Sequence, residues 1–155
     1  MVEVESLSRF YGSRCAVDRV TFSIAPNEVV GFLGLNGAGK SSTLKVLAGL
    51  LLPSAGRVTI DGVDMGDNPT AVRANIGFLP EDPPLYTEMR VTDFLRFVAG
   101  LRGMSDKAIE ARLPDVLKKT NLTDVADRVI DELSHGYRKR VGIAQAIIHG
   151  PKLVI

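Results

Sequence analysis

One short motif constrains the fold of this chain more than any other feature. Residues 34–41 read Gly-Leu-Asn-Gly-Ala-Gly-Lys-Ser and satisfy every fixed position of the pattern G-x-x-x-x-G-K-[ST]. The apolar residues 29–33 precede this motif, and an apolar stripe of helical spacing follows it, formed by Leu44, Leu47, Leu50 and Leu51. At average composition, an accidental match occurs in well under about 1% of chains of this length. The succession of strand, glycine loop and helix therefore predicts an α/β fold with a phosphate-binding loop.

The residue types in this loop match the chemistry of a bound polyphosphate. Glycines allow positive φ and a close approach, so that successive N–H groups point at phosphate oxygens, and the helix opening at Ser41 adds its N-terminal dipole. Lys40 is expected to reach the β- and γ-phosphates, and the Ser41 hydroxyl is expected to ligate Mg²⁺. The sequence thus predicts binding of Mg-ATP or a closely related nucleotide.

Hydrophobic periodicity divides the chain into a mixed α/β part and a helical part. Residues 2–7 and 16–24 alternate apolar and polar side chains, which predicts two half-buried strands. The uninterrupted apolar run at residues 29–33 predicts a strand covered on both faces of a parallel sheet. A helix is predicted at residues 41–51, and further strands are predicted at residues 58–60, 76–79 and 152–155, the last of them buried.

From Val91 onward the apolar spacing is helical. Two stripes are predicted to face a core, namely Phe94, Leu95, Val98 and Leu101, and Ile109, Leu113, Val116 and Leu117. Pro114 lies inside the second stripe and is expected to kink or interrupt that helix. Gly150 and Pro151 are expected to end the last helix.

Composition excludes several classes of protein. Hydrophobic residues make up 45% of the 155 residues, which is enough for one core. The 19 basic and 18 acidic residues nearly cancel, so the charge does not indicate a protein that binds nucleic acid. The single Cys15 allows no intramolecular disulfide, which favours a reducing, cytoplasmic compartment. The N-terminus resembles no signal peptide, and no apolar run approaches the ~20 residues of a membrane-spanning helix. Any membrane role is therefore expected to work through a partner.

Three further stretches carry a resemblance to a known family. Residues 10–12 read Phe-Tyr-Gly, residues 76–81 read Ile-Gly-Phe-Leu-Pro-Glu, and residues 133–137 read Leu-Ser-His-Gly-Tyr. Together with the phosphate-binding loop, they resemble the nucleotide-binding subunit of an ATP-binding cassette (ABC) transporter, and the likeness covers the whole chain. An aromatic residue near a strand end is by itself more often a core side chain. The resemblance implies instead that Tyr11 stacks on adenine.

The resemblance implies a role for each matching position. The implied nucleotide-binding residues are Tyr11, Gly34, Leu35, Asn36, Gly37, Ala38, Gly39, Lys40, Ser41 and Ser42. The residues implied in catalysis are Lys40, Glu81, Ser134 and Gly136, and those implied in binding Mg²⁺ are Ser41 and Glu81. Ser134 and Gly136 match the family's signature, which caps the γ-phosphate held by the opposite subunit of a dimer. Taken alone, Ser134 is an ordinary helix N-cap and Glu81 an exposed loop charge.

The sequence departs from the family pattern at three positions. Glu81 replaces the glutamine of the Q-loop, and a carboxylate is a stronger Mg²⁺ ligand than an amide but donates no hydrogen bond. His135 stands in place of a glycine, and Tyr137 stands in place of a glutamine. These variants resemble exporter-type subunits. The family's Walker B acids and switch histidine are expected beyond Ile155, so the resemblance implies the N-terminal part of a longer subunit, inactive alone.

The resemblance also implies an architecture and a set of partners. The implied fold is an α/β P-loop NTPase core with an antiparallel β subdomain and an inserted helical subdomain. Residues 1–155 are expected to form one domain, with residues 1–81 and 150–155 as the nucleotide-binding core and residues 82–149 as the helical signature subdomain. The implied partners are a second nucleotide-binding subunit and an integral membrane permease, at the cytoplasmic face of a membrane, with no nucleic acid.

The full-length dimer is expected to hydrolyse ATP and so to drive transport across that membrane. Two alternatives stay open at this point. One is a soluble ABC-type ATPase, and the other, for the 155-residue chain itself, is a non-catalytic nucleotide-binding module.

Overall fold

A computed structural model describes all residues from 1 to 155. The chain forms two compact units: the first consists of Met1–Ala74 together with Ile155, and the second consists of Asn75–Val154. The assignment of a nucleotide-binding role to residues 1–81 and 150–155, and of a signature role to residues 82–149, stays a prediction.

An antiparallel sheet of four strands, in the order β2-β1-β3-β4, is the framework of the first unit. The elements of this unit are β1 (Val2–Tyr11), β2 (Arg14–Ile24), α1 (Lys40–Leu47), β3 (Ala55–Ile60), β4 (Val63–Asp64) and α2 (Pro69–Ala74). Successive residues of a strand face opposite sides of the sheet, and accordingly Val2 and Val4 are buried whereas Glu5 is exposed. The sheet confirms the predicted antiparallel β subdomain.

The hairpin between β1 and β2 places Tyr11 directly opposite Arg14. Gly12 turns the chain with a φ of 58°, a left-handed conformation that glycine adopts without a steric penalty. Residues directly opposite each other in an antiparallel pair present their side chains on the same face. Tyr11 and Arg14 therefore share one face at the end of the hairpin.

Helix α1 is shorter than predicted. It ends at Leu47 and does not reach residue 51, because Gly49 adopts a φ of 70° and terminates the helix. The amide of Leu50 donates to the carbonyl of Lys45 at 2.9 Å, which is the hydrogen bond of a glycine-terminated helix. Leu50 consequently lies outside the apolar stripe and is 55% exposed.

The predicted strand at residues 29–33 is absent from the first unit. This segment has no regular secondary structure, and no strand of the described chain pairs with it. Val29 is 99% exposed and Leu33 is 94% exposed, although Phe32 packs edge-on against Phe22 with ring centroids 5.3 Å apart. A strand requires hydrogen-bonded neighbours as well as an apolar sequence. The prediction of a strand covered on both faces is therefore wrong.

Three helices form the core of the second unit. Its elements are β5 (Ile76–Gly77), α3 (Val91–Leu101), α4 (Asp106–Lys119), α5 (His135–Ile147) and β6 (Leu153–Val154), with short 3₁₀ helices at Thr123–Val125 and Ile130–Glu132. One apolar cluster joins the three long helices, and its fully buried members include Phe94, Leu95, Val116, Val141 and Ile148. Strands β5 and β6 pair in parallel, and β5 is shorter than the strand predicted at residues 76–79.

Pro114 was expected to kink or interrupt α4, and the helix is not interrupted there, because the burial of neighbouring apolar residues such as Leu113 offsets the hydrogen bond that proline removes. Two other expectations for this unit are wrong in detail. Leu101 is the last residue of α3 and is 72% exposed, so it does not belong to the buried stripe. Val154 is 54% exposed, so the buried strand predicted at residues 152–155 is only partly covered.

Candidate functional site

Residues 34–39 form an irregular loop that lies against strand β2. The amide of Ala38 donates to the carbonyl of Leu35 at 3.2 Å, which makes a tight turn. Gly39 has a φ of 89°, and a Cβ atom placed there would lie 2.3 Å from the carbonyl oxygen of Ala16. Only glycine fits both this conformation and this space. The backbone of β2 therefore determines where the loop ends and α1 begins.

Helix α1 starts directly after Gly39 without a side-chain cap, and its first turn contains no acidic residue. The amide and the hydroxyl of Thr43 donate to the Gly39 carbonyl at 2.9 and 3.0 Å. The first amides of a helix have no acceptor within the helix, and the helix dipole adds partial positive charge at this end. The amides of Lys40, Ser41 and Ser42 are consequently available to an anion.

The side chain of Lys40 reaches across the loop. Its Nζ donates to the carbonyl oxygens of Gly34 at 2.7 Å and of Leu35 at 2.8 Å. An ammonium group carries three donors, so one donor stays unused in this arrangement. Phosphate oxygens are charged acceptors and form shorter and stronger hydrogen bonds than neutral carbonyls do. A bound phosphate would therefore compete well for this cation.

These groups surround a cavity of about 310 Å³, which we call the loop cavity. Its lining residues are Tyr11, Arg14, Ala16, Asn36, Gly37, Gly39, Lys40, Ser41 and Ser42. The lining contains two cations, Lys40 and Arg14, and no acidic side chain, so it favours anions. Gly34, Leu35 and Ala38, which were also predicted to bind nucleotide, lie outside the lining.

Tyr11 is held in place by two neighbouring side chains. The guanidinium of Arg9 lies 4.9 Å from the centre of the Tyr11 ring, a cation–π distance, and Arg9 Nη1 donates to the carbonyl of Leu52 at 3.0 Å. The Tyr11 hydroxyl lies 3.4 Å from Ser42 Oγ. This hydrogen bond, with a smaller effect from Arg9, lowers the pKa of Tyr11. The oriented ring is still 44% exposed, which leaves surface for a planar ligand.

Two lining residues, Arg14 and Ala16, were not predicted from the sequence. A signal for Arg14 was present, because a basic residue follows Tyr11 across a glycine turn, and hairpin pairing puts two such residues on one face. Ala16 contributes its backbone carbonyl, which lies against Gly39. No sequence pattern reports a contact of this kind.

Ser134 and Gly136 lie at the start of helix α5 in the second unit. Ser134 is the N-cap, and its Oγ accepts a hydrogen bond from the amide of Tyr137 at 3.5 Å. Ser134, His135 and Gly136 are exposed, and the guanidinium of Arg140 lies 5.0 Å from the centre of the Tyr137 ring. The start of this helix is thus accessible to a phosphate group.

Glu81 lies in the second unit, exposed, in the irregular segment between β5 and α3. No group of three or more His, Cys, Asp or Glu residues in the chain could hold a metal ion. Ser41 is one of the residues that line the loop cavity. The metal-binding roles of Ser41 and Glu81 and the catalytic roles of Glu81, Ser134 and Gly136 stay predictions.

A second cavity of about 520 Å³ lies within the second unit, and we call it the aromatic groove. It is lined by Pro84, Leu85, Tyr86, Phe94, Phe97, Val98, Leu101, Arg102 and Gln145. The Tyr86 ring is edge-on to the rings of Phe94 and Phe97, at centroid distances of 6.1 and 5.5 Å. Tyr86, Phe97 and Leu101 are nevertheless exposed, so the groove presents aromatic and aliphatic surface to the exterior.

Comparison with known proteins decides the family. The family model described as "ABC transporter" matches residues 17–155. The chain belongs to the ABC transporter family. Among curated relatives of this ABC transporter chain, the uncharacterized ABC transporter ATP-binding protein YxlF of Bacillus subtilis (strain 168) is 38% identical over 155 residues, which are 100% of this chain and 51% of YxlF. The ABC transporter ATP-binding protein NatA of the same organism is 38% identical over 141 residues, which are 90% of this chain and 57% of NatA.

Solved structures agree with this family. The structure of cbiO1 from Clostridium perfringens, described as part of the ABC transporter complex cbiONQ, has a TM-score of 0.88 and 30% identity, over 99% of this chain and 63% of cbiO1. The predicted family and the ABC ATPase fold are therefore confirmed. The chain spans about half the length of the curated relatives it matches. None of its helices has both the length and the apolar character that crossing a membrane requires.

Proposed function

We propose that this chain is the ATP-binding part of an ABC transporter subunit and that Mg-ATP binds in the loop cavity. The observation that carries the proposal is the convergence of Lys40, the open amides of α1 and the glycine loop on one cavity without acidic groups. A polyphosphate matches this charge, and a purine base matches the exposed ring of Tyr11. The names of the relatives support the proposal, because YxlF and NatA are both described as ATP-binding proteins.

The cavity also fits a magnesium ion that accompanies the nucleotide. Mg²⁺ in such sites is held by few protein oxygens, together with substrate phosphates and water. Ser41 lines the cavity, and its hydroxyl would supply one such oxygen. When bound, the ion neutralises phosphate charge, and Ser41 is the residue of the first unit that would hold it.

Each of the other groups has a defined task in binding. Lys40 exchanges the carbonyls of Gly34 and Leu35 for oxygens of the β- and γ-phosphates, while the amides at the start of α1 donate to the same phosphates. Tyr11 offers the base the ring face that Arg9 does not occupy. Phosphoryl transfer depends mainly on positioning and charge stabilisation. These residues therefore bind the nucleotide and supply part of the electrostatic stabilisation of the transition state.

Calorimetric titration with Mg-ATP tests this site. We expect Lys40→Ala to weaken binding by about tenfold or more, because hydrogen bonds to charged groups contribute about 1.5–3 kcal/mol each. Lys107 is an exposed lysine at the start of α4 in the second unit, and Lys107→Ala should leave the affinity unchanged. Equal affinities for wild type and Lys40→Ala would refute the proposed site.

We propose further that the 155-residue chain binds ATP without turnover and that hydrolysis belongs to the longer subunit as a dimer. No carboxylate lines the loop cavity to orient or activate water. The exposed start of α5, with Ser134 and Gly136, is proposed to meet the γ-phosphate bound by a second subunit. For the chain itself, the same lining favours a non-catalytic nucleotide-binding module. Phosphate release by this chain that disappears in Lys40→Ala would refute the absence of turnover.

The aromatic groove is proposed as the contact for an integral membrane permease, which would hold the subunit peripherally at the cytoplasmic face. Contiguous exposed apolar surface marks protein contacts, and Tyr86 and Leu101 are 50% and 72% exposed. Affinity purification of the full subunit from its own cells should recover a membrane protein. Leu101→Glu should abolish this recovery, whereas Leu50→Glu, an exposed position of the first unit, should not. A full subunit that purifies without a membrane protein would support the alternative of a soluble ABC-type ATPase.

A further inference from the structure

Arg14 is the second cation on the wall of the loop cavity. Several other exposed arginines of the chain are paired with carboxylates, such as Arg57 with Asp64 at 2.9 Å and Arg96 with Glu110 at 2.7 Å. The guanidinium of Arg14 forms no ion pair, and the cavity lining contains no acid that could offer one. Its donors therefore face a site that selects anions without having a protein partner of their own.

The hairpin places Arg14 at the nucleoside end of the proposed ligand. Arg14 is directly opposite Tyr11 in the β1–β2 ladder, and such pairs have Cβ atoms about 4.5–5.5 Å apart on the same face. A base stacked on Tyr11 has only the ribose between it and its first phosphate. The β- and γ-phosphates lie further along, where Lys40 is proposed to bind them. A cation beside Tyr11 is thus placed for the phosphate nearest the nucleoside.

We propose that Arg14 binds the α-phosphate of the nucleotide. This inference rests on the proposed function, because it takes the base to lie on Tyr11 and the terminal phosphates to lie at Lys40. A guanidinium is a planar fork that matches two oxygens of one phosphate group. The site therefore recognises a nucleoside monophosphate unit through Arg14 and the terminal phosphates through Lys40. The two cations divide the phosphate chain between them.

Competition binding on the 155-residue chain tests the inference. In this assay ATP, AMP or adenosine is added to displace a fluorescent ATP analogue from the protein. The proteins compared are wild type, Arg14→Ala, Arg14→Lys and the control Arg57→Ala. The control removes an exposed cation that lies outside the cavity. We expect wild type to bind AMP more tightly than adenosine. Arg14→Ala should weaken the binding of ATP and of AMP by about tenfold, which is the loss typical of one charge-assisted hydrogen bond. The affinity for adenosine should stay unchanged. Arg14→Lys should retain part of the affinity, and Arg57→Ala should match wild type.

Several outcomes would overturn the inference. AMP that binds no better than adenosine to wild type would do so, as would an Arg14→Ala variant that loses adenosine as strongly as AMP. If Arg14→Ala unfolds at a lower temperature than wild type, Arg14→Gln takes its place with the same expected result. Lys40→Ala separates the two proposals, since it should weaken ATP but keep the advantage of AMP over adenosine. If ATP binding depends on Lys40 but not on Arg14, this inference alone is refuted. If wild type binds no nucleotide, the proposed function is refuted as well.

Discussion

Two glycines of the phosphate-binding loop form a matched pair for substitution. Gly37 and Gly39 have similar left-handed conformations, with φ of 85° and 89°. A Cβ atom at Gly37 would meet nothing within 4 Å, whereas at Gly39 it would lie 2.3 Å from the carbonyl oxygen of Ala16 and 3.1 Å from Cγ2 of Val17. The pair therefore separates the backbone penalty, common to both alanine variants, from the contact with β2, present only in Gly39→Ala.

The expected loss of unfolding free energy differs between the two variants. Gly37→Ala should cost about 1–2 kcal/mol, the penalty of an L-residue in the left-handed region. Gly39→Ala carries the same penalty and must also displace the loop from β2, and forcing extra atoms into a packed contact costs about 1–3 kcal/mol more. The total for Gly39→Ala is thus about 2–5 kcal/mol, a large part of the stability of an ordinary domain.

Urea unfolding monitored by circular dichroism measures both losses, and an unchanged m-value shows that the two variants unfold in the same way as wild type. Titration with ATP should in addition show weaker binding for Gly39→Ala than for Gly37→Ala, because a displaced loop moves Lys40. Equal unfolding free energies for the two variants would refute the close packing of the loop on β2.

Three other perturbations have defined outcomes. Tyr11→Ala should weaken ATP binding by about tenfold through lost stacking, whereas Tyr11→Phe keeps the ring and should cost less than about threefold; equal losses in a binding titration would contradict a stacking role. Burial and the charge of Arg102 lower the pKa of His149 below 6.5 in the folded chain. As the pH falls, His149 therefore takes up a proton in the unfolded chain before it does so in the folded chain. Stability should therefore be complete above about pH 6.5 and fall as pH drops towards the folded pKa. Thermal unfolding against pH should show this slope in wild type and in His135→Gln but not in His149→Gln, and a slope that persists in His149→Gln would rule out this origin. Exposed Val29 and Leu33 should promote self-association, so lysine at both positions should reduce it in sedimentation velocity, and unchanged sedimentation would disprove that cause.

Local features of the fold were predictable because neighbouring residues determine them. The loop at residues 34–41 and the N-cap at Ser134 depend on residue types at fixed spacing, and the structure contains a glycine loop and a capped helix at these positions. The strands β1 and β2 follow from alternation along the sequence. The prediction of the family rested on several such motifs together, so it was better supported than a prediction from any single motif.

Other features of the fold and of the site were not predictable in the same way. The apolar pattern of residues 29–33 indicated a strand, but pairing requires a partner strand that the pattern cannot supply. Helix α1 ends because Gly49 is left-handed. The leucines that continue at helical spacing beyond Gly49 led to the prediction of a longer helix. Arg14 became a candidate only when the register of the hairpin put it beside Tyr11. For the strand and for Arg14 the missing information was the identity of a neighbour in space, whereas for the end of α1 it was the local conformation of Gly49.

Amide NMR spectra of the 155-residue chain during titration with Mg-ATP test the central proposal most directly, and a mass of 16.7 kDa suits the method. We predict saturable shifts of the amides of Tyr11 and of residues 34–42, and the loss of these shifts in Lys40→Ala. Amides of the loop that stay unmoved at saturating nucleotide, or shifts confined to residues 75–154, would contradict nucleotide binding in the loop cavity.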